Sequence, residues 1–265
     1  PGITTPCQAV FPVLSSAPLT PRHHALLLEA PDVAAPALPG QFVTLRAGPG
    51  VVPLLRRPLS ICDVPSPGKL LLVFKKVGPG TSLLASLRAG ERADLLGPLG
   101  NGFTLAHDHQ DCLLAGGGCG AAPLLFLARR LVSLGKMVSV FVGAPGAGEL
   151  LLIDRFRDLG AAVFTATEQP AVGHKTGLVT DLVARHLPGF SSPYLYACGP
   201  TPMLKALARL AGERGLPAEC SVEPIMGCGM GACRSCVTRL ITPGPGERLA
   251  LACTEGDRAK TALTL

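Results

Sequence analysis

The sequence predicts a multi-domain protein in which an antiparallel β-barrel precedes a parallel-sheet α/β domain and a small cysteine-rich C-terminal domain. Three observations carry that expectation. From Pro6 to Phe103 short β-type runs are broken by Gly and Pro, as in small barrels and sandwiches. From Asp111 strands alternate with helices, the pattern of a parallel sheet. From Pro217 onward the periodicity stops and cysteines crowd together. The expected boundaries are 1–106, 107–216 and 217–265.

The barrel strands are expected at Gln8–Leu14, Ala25–Glu29, Phe42–Arg46, Leu59–Asp63, Leu70–Lys76 and Arg92–Leu96. The segment His107 to Asp111 is polar; it looks metal-like but has loop composition, so a linker is expected there. In the α/β part, strands are expected at Cys112–Ala115, Val138–Val142, Ala162–Thr165 and Tyr194–Cys198. Helices fall at Ala122–Leu134, near Leu150–Leu159 and near Leu178–His186, and a last one is opened by Thr201 as N-cap with Pro202 in its first turn. The tail after Pro217 is rich in Cys and Gly and is not expected to build a sizeable core of its own, so an inorganic centre is expected to organise it.

Bulk properties exclude several classes. The 265 residues include 48% hydrophobic and 16% charged positions, with 32 Gly and 26 Pro, a globular and not a disordered profile. The longest uncharged stretch, Cys112 to Ala128, is interrupted by Gly116, Gly117, Gly118, Gly120 and Pro123, so no membrane span is expected. Pro1 to Ser16 has no basic stretch ahead of an apolar run; the expectation is no secretory leader and a cytoplasmic location. The net charge of +6 is scattered and there is no Trp, which disfavours nucleic acid as a partner. No cluster of catalytic acids or bases stands out.

The most specific signal is Cys228-Gly-Met-Gly-Ala-Cys233-Arg-Ser-Cys236, followed by a distant Cys253. This C-x4-C-x2-C spacing with a fourth remote cysteine suits a plant-type [2Fe-2S] cluster, whose thiolates converge while Gly227, Gly229 and Gly231 allow close backbone approach. A zinc site is the competing reading, but zinc sites typically pair two short C-x2-C knuckles. Cys7, Cys62, Cys112 and Cys220 read as small buried apolar residues.

Three further motifs follow one another along the chain. Arg57-Pro58-Leu59-Ser60 opens a strand, and Val73-Phe74-Lys75 and Gly80-Thr81 follow it. Gly116-Gly117-Gly118-Cys119-Gly120-Ala-Ala-Pro123 joins a strand to a helix, where glycines let a dinucleotide phosphate approach the helix N-terminus. Cys198-Gly199-Pro200-Thr201-Pro202-Met203 ends a later strand.

Together these motifs resemble the ferredoxin–NADP reductase superfamily, with Cys119 where an aliphatic is usual. The resemblance implies FAD held by Arg57, Pro58, Leu59, Ser60, Val73, Phe74, Lys75, Gly80 and Thr81. It implies NAD held by Gly116, Gly117, Gly118, Gly120, Cys198, Gly199 and Pro200. Arg57 can neutralise the FAD pyrophosphate, and Ser60 can hydrogen-bond the flavin ring. After the strand Val138–Val142, the stretch Gly143 to Ile153 carries Glu149 but no Lys or Arg for a 2′-phosphate, so NADH is expected over NADPH.

With Gly97-Pro98-Leu99-Gly100-Asn101-Gly102-Phe103 and the cysteine tail added, nearly the whole chain resembles the electron-transfer subunits of type B dihydroorotate dehydrogenase. That resemblance implies an FMN-containing catalytic subunit as partner, two of each chain in the complex, and electron flow to NAD through the cluster and FAD in pyrimidine biosynthesis. The alternative is a flavin and iron–sulfur subunit of another NAD(P)H-linked oxidoreductase, such as a sulfhydrogenase or a ferredoxin-coupled transhydrogenase. A second competitor is a zinc-stabilised interaction module on a degenerate reductase scaffold.

Overall fold

A computed structural model describes residues 5–48, 50–105, 108–241 and 247–255. Strands β1 (Cys7–Pro18) and β2 (His23–Glu29), a one-turn helix α1 (Pro31–Ala34), strands β3 (Phe42–Leu45), β4 (Arg57–Asp63) and β5 (Lys69–Lys75), helix α2 (Pro79–Ala85) and strand β6 (Arg92–Leu99) form the first unit. The strands close into a barrel in the order β1-β2-β5-β4-β3-β6, every pair antiparallel. Alternation along the strands fills it: Val43 and Leu45 point inward with Leu26, Leu28, Ile61, Leu70, Leu72 and Leu95. Phe42 belongs to a different cluster on the outer face. Gly97 of β6 is required where that strand crosses β3, since a Cβ there would lie 2.6 Å from Val43 Cγ1.

The second unit runs β7 (Asp111–Gly117), α3 (Ala121–Ser133), β8 (Met137–Ala144), α4 (Ile153–Asp158), β9 (Ala162–Thr167), β10 (Lys175–Thr176), α5 (Val179–His186), β11 (Tyr194–Cys198), α6 (Thr201–Glu213) and β12 (Ala218–Ser221). Its six strands are parallel in the order β10-β9-β8-β7-β11-β12. The chain steps outward from β7 to β10 and then returns to the other side of β7, so the crevice of this sheet lies at the ends of β7 and β11. β12, a strand the sequence places in the cysteine-rich tail, completes the sheet edge; four residues carry too little pattern to show this. Helix α6 starts at Thr201 with Pro200 as cap, one residue earlier than expected.

Helix α3 is apolar almost all round, with Ala121 to Ala128 buried throughout, because it is covered on two sides. One side packs on the sheet, and Phe126 joins the barrel core. Asp63 of β4, fully buried, receives a two-pronged ion pair from Arg129, with Nη2 to Oδ2 at 2.6 Å and Nε to Oδ1 at 2.9 Å. The linker residue His107 lies outside the described residues. His109 donates from Nδ1 to the carbonyl of Ser192 at 2.9 Å.

The tail adds the antiparallel hairpin β13 (Val237–Ile241) and β14 (Glu247–Leu251) and a last turn α7 (Ala252–Glu255). It rests on the barrel through Phe42, Leu96 and Leu99, which pack with Met226, Cys236, Ala252 and Cys253. Among the described residues no helix is long and apolar enough to cross a membrane.

Candidate functional site

A cavity of about 420 Å³ opens where the barrel, the sheet and the tail meet. Pro58, Leu59 and Ser60 of β4, Val73, Phe74 and Lys75 of β5, and Thr81 of α2 line it. Gly100, Asn101 and Gly102 come from the turn after β6, while Met226 and Ala252 come from the tail. Arg57 and Gly80, expected in the same site, are not part of the wall. They back one another: a Cβ on Gly80 would lie 2.9 Å from Arg57 Cδ, and Arg57 Nη2 donates to the Leu55 carbonyl at 2.7 Å. Gly80 and Thr81 sit in the first turn of α2. Thr81 Oγ1 accepts from the Val77 N–H at 2.9 Å, which fixes that turn.

A second cavity, about 550 Å³, lies over the C-terminal ends of the parallel strands. Gly117, Gly118 and Gly120 form its floor, with Gly199 and Pro200 beside them. Gly116 and Cys198 stand behind this wall. A Cβ on Gly116 would lie 2.8 Å from Ala121 Cα, and one on Gly120 would collide with the Cys198 carbonyl, so each glycine permits a backbone contact that no other residue allows. Cys198 is fully buried at the end of β11 and supports the turn from below.

Three residues belong to both cavities: Lys75, Cys119 and Glu223. Burial pushes the Cys119 thiol up to about 12, so it stays protonated, and its Sγ lies 3.8 Å from the Val73 carbonyl. Glu223 is solvent-exposed along the cavity wall, yet it lies deep enough between the two cavities for desolvation to raise its pKa. Lys75 Nζ approaches the Glu149 carboxylate at 3.8 Å. Glu149 therefore faces the barrel, and the carboxylate on the outer wall of the second cavity is Glu168, at the end of β9.

The four tail cysteines come together as two pairs. Cys236 Sγ and Cys253 Sγ are 3.1 Å apart; the Cys228 and Cys233 amides each point at the other's sulfur, at 3.3 and 3.4 Å. Further N–H groups aim at sulfur, from Met230 to Cys228 at 3.4 Å and from Gly231 to Cys253 at 3.1 Å. Gly229 and Gly231 have φ values of 75° and 86°, which turn these amides inward. Hydrogen bonds, first from Ser235, lower the Cys233 pKa to about 6, whereas burial raises that of Cys253 to about 12. Among the described residues no three His, Cys, Asp or Glu side chains surround one ion position. Two cysteine sulfurs on each side, with amides directed at the sulfurs, fit a two-iron cluster.

A protein-family model described as the iron–sulfur cluster binding domain of dihydroorotate dehydrogenase B matches residues 223–256. Over 245 residues the chain is 40% identical to the dihydroorotate dehydrogenase B (NAD(+)) electron transfer subunit of Desulforamulus reducens, covering 92% of this chain and 93% of that one. The chain belongs to this family of electron transfer subunits. The corresponding subunit of Geobacillus thermodenitrificans is 38% identical over 247 residues, with 92% and 93% covered. Among solved structures, an NADH-dependent reduced ferredoxin-NADP oxidoreductase studied for flavin-based electron bifurcation superposes with a TM-score of 0.82 at 28% identity, over 96% of this chain and 88% of that one. A ferredoxin NADP+ reductase of Neisseria gonorrhoeae shares the fold at 19% identity, with a TM-score of 0.67 over 78% and 92% of the two chains.

In this electron transfer subunit the site holds residues that sequence reading passed over. Glu219 of β12 is almost fully buried in the wall of the first cavity. Its Oε2 accepts from the Thr104 N–H and its Oε1 from the Tyr194 hydroxyl, both at 2.9 Å, while Tyr196 donates to the Thr104 carbonyl. This ties the chain leaving the barrel to two strands of the sheet. Glu168, Glu219 and Glu223 carry no local motif. The fold reveals them by placing Glu219 on the first cavity, Glu168 on the second and Glu223 on both.

Proposed function

We propose that the first cavity holds FAD, the second NAD, and the paired cysteines a [2Fe-2S] cluster, so that the chain links NAD to an FMN-containing dihydroorotate-oxidising subunit in a complex of two of each chain. The observation that carries this is the wall of the first cavity. It shares Lys75, Cys119 and Glu223 with the second cavity, and it takes Ala252, the neighbour of Cys253, from the cysteine centre. One cavity thus touches both other sites.

FAD, when bound, supplies the conversion between two-electron hydride exchange and one-electron exchange. The protein's part is to bind, orient and exclude water. Ser60 and the Gly100–Gly102 turn offer polar groups at the rim, Phe42 and Phe103 give apolar cover, and Lys75 presents a cation between the two cavities. Gly117, Gly118 and Gly120 leave backbone space for a pyrophosphate at the start of α3. Arg57 supports this wall from behind through Gly80 and Leu55. For the units of the chain we propose boundaries near 106 and 221, the second moved past β12 because that strand belongs to the sheet.

The test is anaerobic mixing of the purified chain with an FMN-containing catalytic subunit, dihydroorotate and NAD+. Formation of NADH that requires both chains is expected. A catalytic subunit whose NAD+ reduction is unchanged by the added chain would contradict the assignment.

A further inference from the structure

On β3 the outward residues Phe42 and Thr44 face the tail, while Val43 and Leu45 enter the barrel core. Thr44 is 2% exposed, and its Oγ1 is buried with no hydrogen-bond partner in the protein. Buried hydroxyls nearly always find a partner. The surroundings indicate which partner is missing. A Cβ built on Gly229 would lie 3.1 Å from Thr44 Cγ2, so Thr44 packs directly beneath the loop between Cys228 and Cys233. The side chains that flank it in register, Pro58 and Leu96, carry no polar atom. Thr44 is not part of the wall of the flavin cavity, and none of the cysteine sulfurs accepts from it.

We propose that the Thr44 hydroxyl donates a hydrogen bond to an inorganic sulfur of the cluster, so that a barrel residue tunes the potential of a centre whose ligands all lie in the tail. A hydrogen bond to a cluster sulfur favours the reduced, more negative state and raises the midpoint potential. The inference rests on the cluster assignment made above. It makes Thr44 a positioning and tuning residue and gives it no contact with substrate.

The test is a redox titration of the cluster, read by electron paramagnetic resonance, in the full chain loaded with FAD and bound to its catalytic subunit. Thr44→Val should shift the cluster midpoint to a more negative value and leave the flavin midpoints where they are, while Thr44→Ser should coincide with the parent protein. Thr44→Ala serves as a second donor-free variant should Thr44→Val load no iron. If neither donor-free variant holds a cluster and Thr44→Ser does, the hydroxyl is needed for assembly and the proposal stands. A donor-free variant with the parent's cluster potential overturns it; so does a shift confined to the flavin, or a Thr44→Ser protein that behaves like the donor-free pair. A parent protein without iron and sulfide would instead remove the cluster assignment itself.

Discussion

Arg129 reaches from the surface of α3 to a carboxylate, Asp63, that has no exposure at all. Removing the cation leaves that carboxylate uncompensated between barrel and sheet, so Arg129→Met should cost about 3 kcal/mol in urea unfolding, and Asp63→Asn combined with it should restore most of the loss. Equal losses in the single and double variants would show that the ion pair is not what Arg129 contributes. Glu168 makes a different kind of prediction. As the carboxylate on the outer wall of the second cavity, it suits the two hydroxyls of an adenosine ribose and opposes a 2′-phosphate. Glu168→Arg should tighten NADP+ binding by about tenfold relative to NAD+, about 1.4 kcal/mol, in equilibrium titrations of the flavoprotein. Residues of this kind mark the limit of reading a sequence. The four cysteines were legible because their ligand spacing is largely local, whereas Glu168 becomes a site residue only when β9 is placed two strands from the glycine-rich turn. The preference for NADH was argued from the lack of Lys or Arg between Gly143 and Ile153; the one carboxylate noted in that stretch, Glu149, is turned by the fold toward Lys75.

At the scale of elements, strand and helix positions were legible almost throughout, because alternating apolar runs and glycine turns are local signals. The elements α1, α2, β10, β12, β13, β14 and α7 were not; each is two to seven residues long and exists through its neighbours. The glycine-rich turn between β7 and α3 is tested by Gly120→Ala, whose added methyl meets the Cys198 carbonyl. The variant should keep FAD and iron, while the rate of flavin reduction by NADH falls by about 100-fold, as expected for a small misplacement of reacting groups. The β1–β2 hairpin should set an acid limit on the barrel. His23 and His24 are buried, and desolvation, the largest cause, lowers both pKa values below 6.5. The unfolded chain therefore binds more protons between the folded values and 6.5, so this contribution to stability is complete above 6.5 and is lost as the pH falls below it. Thermal unfolding midpoints should drop between about pH 7.5 and about pH 5, and replacing both histidines by Gln should flatten that drop.

For the whole molecule, the arrangement of the three sites matters more than any one of them. The barrel supplies most of the first cavity, the sheet supplies the second, and the tail brings its cysteines against Phe42 and Leu99 on the outer face of the barrel. Arg129 with Asp63, and Glu219 with Thr104 and Tyr194, hold barrel and sheet in one relation. The order of sites along the chain was legible from its motifs; their convergence on one cavity was not, because it depends on β12 and on the packing of the tail. The most direct measurement is an anaerobic titration of the full chain, containing FAD and iron, with NADH, following flavin absorbance and the paramagnetic signal of the reduced cluster in the same samples. NADH should bleach the flavin and the cluster signal should appear with it, both slowed together in Gly120→Ala. A cluster that stays oxidised while the flavin is fully reduced, with the catalytic subunit present or absent, would contradict this.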